Sequence, residues 1–154
     1  MIRLINYEDK YQADFKRLNL EWLDKYNLTE SHDLEVLDDP QKFVINKGGC
    51  IFLGMDGDKV IASAGLSKEN DTEYELVKMF VDEAYRGQGI SKILLERCLE
   101  EAKKLHAHKV ILYSNSQLKT ALKLYEKYGF TYVDATNAPF LTADVKMELS
   151  LTAN

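Results

Sequence analysis

Cysteine is nearly missing from this chain: only Cys50 and Cys98 occur among 154 residues. Two thiols cannot build the multi-bridge framework of a small secreted domain, and no C-x-x-C pair points to zinc. Cys98 falls on the apolar face of a predicted helix and Cys50 opens a predicted strand, so both read as buried free thiols. Histidine is almost as rare. His32, His106 and His108 are the whole complement, and His106-Ala107-His108 has no third ligand beside it, so no metal is expected. No apolar run approaches the about 18 residues of a membrane span, and the N-terminal segment lacks a long apolar core and a small-residue cleavage site. The expectation is a soluble cytoplasmic protein that does not enter a membrane. An excess of positive charge is also lacking, since 20 Lys and Arg stand against 25 Asp and Glu for a net charge of −5. Affinity for nucleic acid rests on clustered Lys and Arg, so the balance argues against a nucleic-acid partner. It leaves room for one small anionic ligand held by local backbone dipoles.

What is present is ordinary globular composition, 45% hydrophobic and 29% charged, at a length that fits a single domain over residues 1–154. Ile2 to Asn6 reads as a strand, and Phe15, Leu18, Trp22 and Tyr26 recur at helical spacing within Tyr11 to Tyr26. Thr29 to Asp33 reads as a polar link, and Asp39-Pro40 as the start of a second helix that ends at Gly48-Gly49. Strands follow at Cys50 to Met55, Lys59 to Leu66 and Thr72 to Val81, the first two joined by the Asp56-Gly57 turn. Gly89 to Leu105 is an amphipathic helix, and Lys109 to Tyr113 a strand. Ser116 is expected to cap a helix that Gly129 stops, and Phe130 to Val133 and Ala143 to Leu151 read as closing strands. The order β-α-α-β-β-β-α-β-α-β-β gives an α/β fold with a mixed sheet flanked by helices.

The most informative segment is Arg86-Gly87-Gln88-Gly89-Ile90-Ser91, where a strand runs through a glycine turn into a helix. Glycines there let a ligand approach the backbone, and the first helical turn presents unpaired N–H groups and a positive dipole end. That suits phosphate. The dinucleotide fingerprint would need a third Gly where Lys92 stands, and no Walker pattern occurs. The segment instead resembles the Q/R-x-x-G-x-G/A signature of the GCN5-related N-acetyltransferases, the GNAT family. Ser91 replaces the usual last Gly or Ala but is small and keeps its N–H. Downstream, Ala121-Leu122-Lys123-Leu124-Tyr125-Glu126-Lys127-Tyr128-Gly129-Phe130 is similar to that family's A-x-x-L-Y-E-K-x-G-F helix. One helix and one strand separate the two segments, as in the family.

The resemblance implies a GNAT-like fold and acetyl-coenzyme A as cosubstrate. It places the pyrophosphate on Arg86, Gly87, Gln88, Gly89, Ile90 and Ser91. It also implies that the strand through Glu75 splays from its neighbour, leaving the backbone around Met79 and Val81 to pair with the pantetheine arm. Asn115 is either a turn residue or a hydrogen-bond partner of that arm. Tyr125 is the catalytic candidate. A thiol has a pKa of about 8.5 and Tyr about 10, so Tyr125 either donates a hydrogen bond to the departing thiolate or has its pKa lowered by the site. Glu75 is the candidate base for the amine; its alternatives are a solvated face or a structural ion pair.

The function expected is transfer of the acetyl group to a primary amine of a small molecule. The alternative is a coenzyme A-binding sensor that needs neither Tyr125 nor Glu75. The segment Ala138 to Asp144 carries no diagnostic motif for the acceptor. Glu30, Asp33, Glu35, Asp38 and Asp39, with no Lys or Arg from Leu28 to Gln41, suggest an acidic wall and hence a cationic acceptor. Dimers are frequent among similar proteins, so a homodimer is in keeping with the resemblance.

Overall fold

The computed structural model describes residues 2–139 and 141–151. Its strands are β1 (Ile2–Asn6), β2 (Cys50–Asp56), β3 (Lys59–Lys68), β4 (Glu73–Val81), β5 (Lys109–Ser114), β6 (Thr131–Val133) and β7 (Val145–Ser150). They share one sheet in the order β1-β2-β3-β4-β5-β7-β6. All pairings are antiparallel except β4 with β5. This is the mixed α/β architecture expected.

Helices cover both faces. On one side lie α1 (Gln12–Lys25) and α2 (Ser31–Asp38), which with the sheet bury Phe15, Leu18, Leu37, Leu53 and Met55 completely. On the other lie α3 (Ile90–Lys104) and α4 (Lys119–Lys127), whose Leu94, Leu95, Cys98 and Leu122 pack with Leu66, Leu112 and Met147. Because β3 is covered on both faces, Val60 to Leu66 is buried without alternation.

Two features of β4 shape the site. Its parallel pairing with β5 lasts only through Glu73↔Lys109, Tyr74↔Val110 and Glu75↔Ile111. Both strands continue, β4 to Val81 and β5 to Ser114, so they splay and leave the β4 edge beyond Glu75 without a partner strand. The second feature is a bulge. Pairing with β3 slips between Gly65↔Val77 and Ser63↔Phe80, and Lys78 takes a left-handed φ of 52°. A β-bulge re-aims a side chain, and here it re-aims Lys78.

A short helical segment does follow Asp39-Pro40, but a further helix precedes it. The second helix lies earlier, over Ser31–Asp38, and takes in Ser31, His32 and Asp33 from the supposed link. The Glu30 N–H donates to Asp33 Oδ2 at 2.8 Å and fixes its start. It ends before Pro40, which disfavours helical backbone at Asp39. Pro40 instead opens a π-helical turn, Gln41–Ile45, that buries Val44. Ser116 is corrected too. Its N–H and Oγ bind Asp144 at 2.8 and 2.7 Å, and α4 begins three residues later. Gly129, at φ 93°, does follow the end of α4. Ala143 and Asp144 precede β7, and Phe140 lies outside the described residues.

Candidate active site

The splay opens a cleft of about 620 Å³ between β4, β5, α1, α2, the first turn of α3 and one face of α4. Glu75, Met79, Val81, Arg86, Gly87, Gly89, Ile90, Ser91, Asn115 and Tyr125 all line it. Of the catalytic and cofactor-binding candidates read from sequence, Gln88 alone is not in the lining, and it is exposed.

At the glycine turn, Gly87 and Gly89 both have φ of 77°, the left-handed backbone that side chains disfavour. Space above both is open, and Gly89 directly precedes α3. The first-turn N–H groups of α3 therefore meet the cleft with no helical turn before them to satisfy them. Arg86, Lys92 and Lys119 add positive charge to the lining. In a chain of net charge −5, this is a locally basic region suited to an anionic ligand.

Trp22 organises this end, a role that its place in an apolar helical stripe does not reveal. Its indole Nε1–H donates to the Val81 carbonyl at 2.6 Å. Its ring makes offset stacking contacts with Tyr26 and with Phe80, at centroid distances of 5.6 and 5.8 Å. The Arg86 guanidinium carbon lies 3.6 Å from the indole centroid, a close cation–π contact. Trp22 thus holds both the splayed tip of β4 and the residue that opens the glycine turn.

Glu75 is buried, at 8% exposure, and makes no ion pair among the described residues. Burial, and then a hydrogen bond and the charge of Glu69, push its carboxyl up to about 8, while Lys78 and Lys146 pull the other way. A carboxyl that loses its proton near neutrality is suited to general-base work. Tyr125 is also buried, its ring 5.8 Å from that of Phe130. Burial, with a lesser contribution from Cys98, pushes its hydroxyl well above the usual phenol range. That direction favours the hydrogen-bond donor over a Tyr125 of lowered pKa. The group keeps its proton and can donate a hydrogen bond.

Asn115 serves as a turn residue. Its Oδ1 accepts from the Gln117 N–H at 3.0 Å and its Nδ2 donates to the Thr142 carbonyl at 2.7 Å. The acidic wall is corrected as well. Glu30 accepts from the N–H groups of Leu141 and Thr142 and from the Thr142 hydroxyl; burial opposes ionisation, but these bonds hold its carboxyl below the usual range. Asp38 pairs with Lys16, and Asp39 accepts from the Lys42 N–H at 3.1 Å. Glu35 is exposed and outside the lining. Only Asp33 of the five reaches the cleft, and it is paired with Lys78. Four of the five acids therefore lie outside the cleft, and the fifth has its charge met by Lys78.

The model of the acetyltransferase (GNAT) family matches residues 14–130, three-quarters of the chain. The chain belongs to the GNAT family. N-acetylaspartate synthetase of Rattus norvegicus is 34% identical over 105 residues, which are 67% of this chain and 35% of that protein. The chain spans just over a third of the length of such curated relatives. A GNAT-family acetyltransferase from Staphylococcus aureus Mu50 superposes with a TM-score of 0.89 at 20% identity, over 99% of this chain and all of the other. PaiA N-acetyltransferase of Thermoplasma acidophilum, solved with coenzyme A, superposes with a TM-score of 0.78 at 16% identity, over 97% and 99%. At these identities the structural matches establish the shared GNAT fold. Among the described residues, no helix is long and apolar enough to cross a membrane.

Proposed function

We propose that residues 1–154 form one N-acetyltransferase unit that moves the acetyl group of acetyl-coenzyme A to the amine of a small molecule in the cytoplasm. The observation that carries this reading is the convergence, in one cleft, of a free strand edge, a glycine turn at a helix start, a buried Tyr and a buried Glu. Family membership supports it, as do the names of relatives such as N-acetylaspartate synthetase and mycothiol acetyltransferase. The free thiols of Cys50 and Cys98 suit a reducing compartment.

In this reading the pantetheine arm adds to the open β4 edge around Met79 and Val81, as a short extra strand. The pyrophosphate rests on the N–H groups from Gly87 to Ser91, with Arg86 alongside. The amine nitrogen attacks the thioester carbonyl, an N–C bond forms and the C–S bond breaks. Glu75 takes the proton the amine must lose. Tyr125 donates a hydrogen bond to the sulfur as thiolate develops, and the thiolate then collects a proton from water. A sensor would require neither side chain in the cleft. Acetyl-coenzyme A is to be incubated with amino acids, polyamines, aminoglycosides and peptide N-termini, and free coenzyme A measured. Release above the no-amine background for at least one class is expected; release that never exceeds background would favour the sensor.

A further inference from the structure

The cleft also holds a built polar feature away from the glycine turn's own residues. Lys78 Nζ pairs with Asp33 Oδ1, with only 11% and 7% of the two side chains exposed. His32 Nε2 lies 3.4 Å from the same oxygen, and Asp33 Oδ2 accepts the Glu30 N–H at 2.8 Å. All three side chains line the cleft with Glu75. The backbone is arranged to put Lys78 there. Its φ of 52° is uncommon for a residue with a side chain, and its carbonyl is fixed by the Ser63 hydroxyl at 2.6 Å. Asn19 Nδ2 in turn donates to Ser63 Oγ at 3.2 Å.

A buried ion pair is a poor source of stability, because desolvation offsets most of the attraction. Unusual backbone conformations also persist where surrounding structure enforces them, and they cluster at binding sites. An ammonium has three donors, and Asp33 supplies one partner for them. Both Asp33 oxygens are engaged, Oδ1 by Lys78 and His32 and Oδ2 by the Glu30 N–H, so a polyamine finds no spare carboxylate oxygen there, whereas Lys78 keeps N–H donors beyond the one given to Asp33. A zwitterion finds complementary groups: a base for its amine at Glu75 and a fixed cation for its carboxylate at Lys78, with His32 beside it.

We propose that the acceptor is a free amino acid, with its carboxylate seated on the Lys78 ammonium and its amine directed at Glu75. This rests on the acetyltransferase reading and names its substrate class. Lys78 and Asp33 then determine specificity rather than perform the chemistry.

The test compares L-amino acids, aspartate, glutamate and phenylalanine among them, with the same molecules as C-terminal amides, which keep the amine and lose the α-carboxylate charge. Putrescine and spermidine serve as cationic acceptors. kcat/KM is measured for the wild type and for the paired variant Asp33→Asn/Lys78→Met, which removes both charges and leaves neither buried alone. Acetyl-coenzyme A binding by calorimetry reports whether the variant is folded, and Lys78→Arg, which keeps the charge, is a second variant. A charge-assisted hydrogen bond predicts a preference for the best acid over its amide of about tenfold to a hundredfold. The acid-to-amide ratio should fall toward one in the paired variant through a rise in KM for the acid, and be partly kept in Lys78→Arg. Amides used as well as acids, a preference that survives in the paired variant, or a polyamine as best acceptor would each overturn the proposal while leaving the acetyltransferase reading intact. No turnover with any amine would overturn both.

Discussion

Glu75 titrates far from an ordinary carboxylate, and this has two measurable consequences. Its carboxyl is raised from 4.5 to about 8, first by burial and then by Glu69, against the opposing charges of Lys78 and Lys146. At pH 6 only about 1% of molecules would carry the carboxylate, at pH 7 about a tenth and at pH 8 about half. If Glu75 is the base, kcat/KM follows this fraction. Glu75→Gln has no such group, and using one acceptor for both proteins cancels the acceptor's own ionisation. The wild-type-to-variant ratio should therefore rise about tenfold per pH unit from 6 to 7.5 and level off near 9. Stability moves the other way. The folded state holds a proton that the unfolded state releases above 4.5, so this group's contribution is complete below 4.5 and is lost as pH rises through about 8. The loss has a ceiling of about 1.4 kcal/mol per pH unit. Urea denaturation at pH 5, 6.5 and 8 should show it in the wild type, and a shallower trend in Glu75→Gln. A ratio independent of pH from 6 to 9, with stability trends that coincide, would refute the assignment.

Tyr125→Phe should lower kcat about 10²- to 10⁴-fold with little change in acetyl-coenzyme A affinity; equal turnover would return Tyr125 to a packing role. Gly89→Val places a β-branched side chain at φ 77° in the open space above the turn, so coenzyme A affinity measured by calorimetry should fall. Unchanged affinity would remove the pyrophosphate from that turn. Trp22 is the single tryptophan of the chain, so intrinsic fluorescence should change as coenzyme A is titrated in. Trp22→Phe, which loses the N–H bond to Val81, and Trp22→Leu, which also loses the Arg86 stack, should bind coenzyme A progressively more weakly by calorimetry; equal affinities would show that Trp22 only fills space.

The element order and the glycine turn were readable because each has a strong local cause. Val60 to Leu66 of β3 is an apolar run broken only by Ser63, and Gly87 and Gly89 sit between a strand and an amphipathic helix. The short helix α2 was missed because its eight residues include Asp33, Glu35 and Asp38, and its capping bond from Glu30 to Asp33 is only one of several readings of a polar segment. Ser116 has the right chemistry for a cap, but a tertiary partner, Asp144, captures it. Trp22 could not be told from a core aromatic, since its role depends on Val81 and Arg86, far along the chain. Lys78 carried a usable signal: a lysine in an otherwise apolar strand is as unusual as Glu75, and the same reasoning would have flagged it. Five acids in one segment suggested a charged wall because sequence does not display the partners that Lys16, Lys78 and Thr142 supply.

The most direct measurement of the central claim is a crystal structure of the protein with acetyl-coenzyme A. The account predicts the pyrophosphate on the N–H groups from Gly87 to Ser91, the pantetheine amides paired with the β4 edge beyond Glu75, and the thioester sulfur within hydrogen-bond reach of the Tyr125 hydroxyl. A cofactor bound elsewhere, or in this cleft with its thioester remote from both Tyr125 and Glu75, would contradict it.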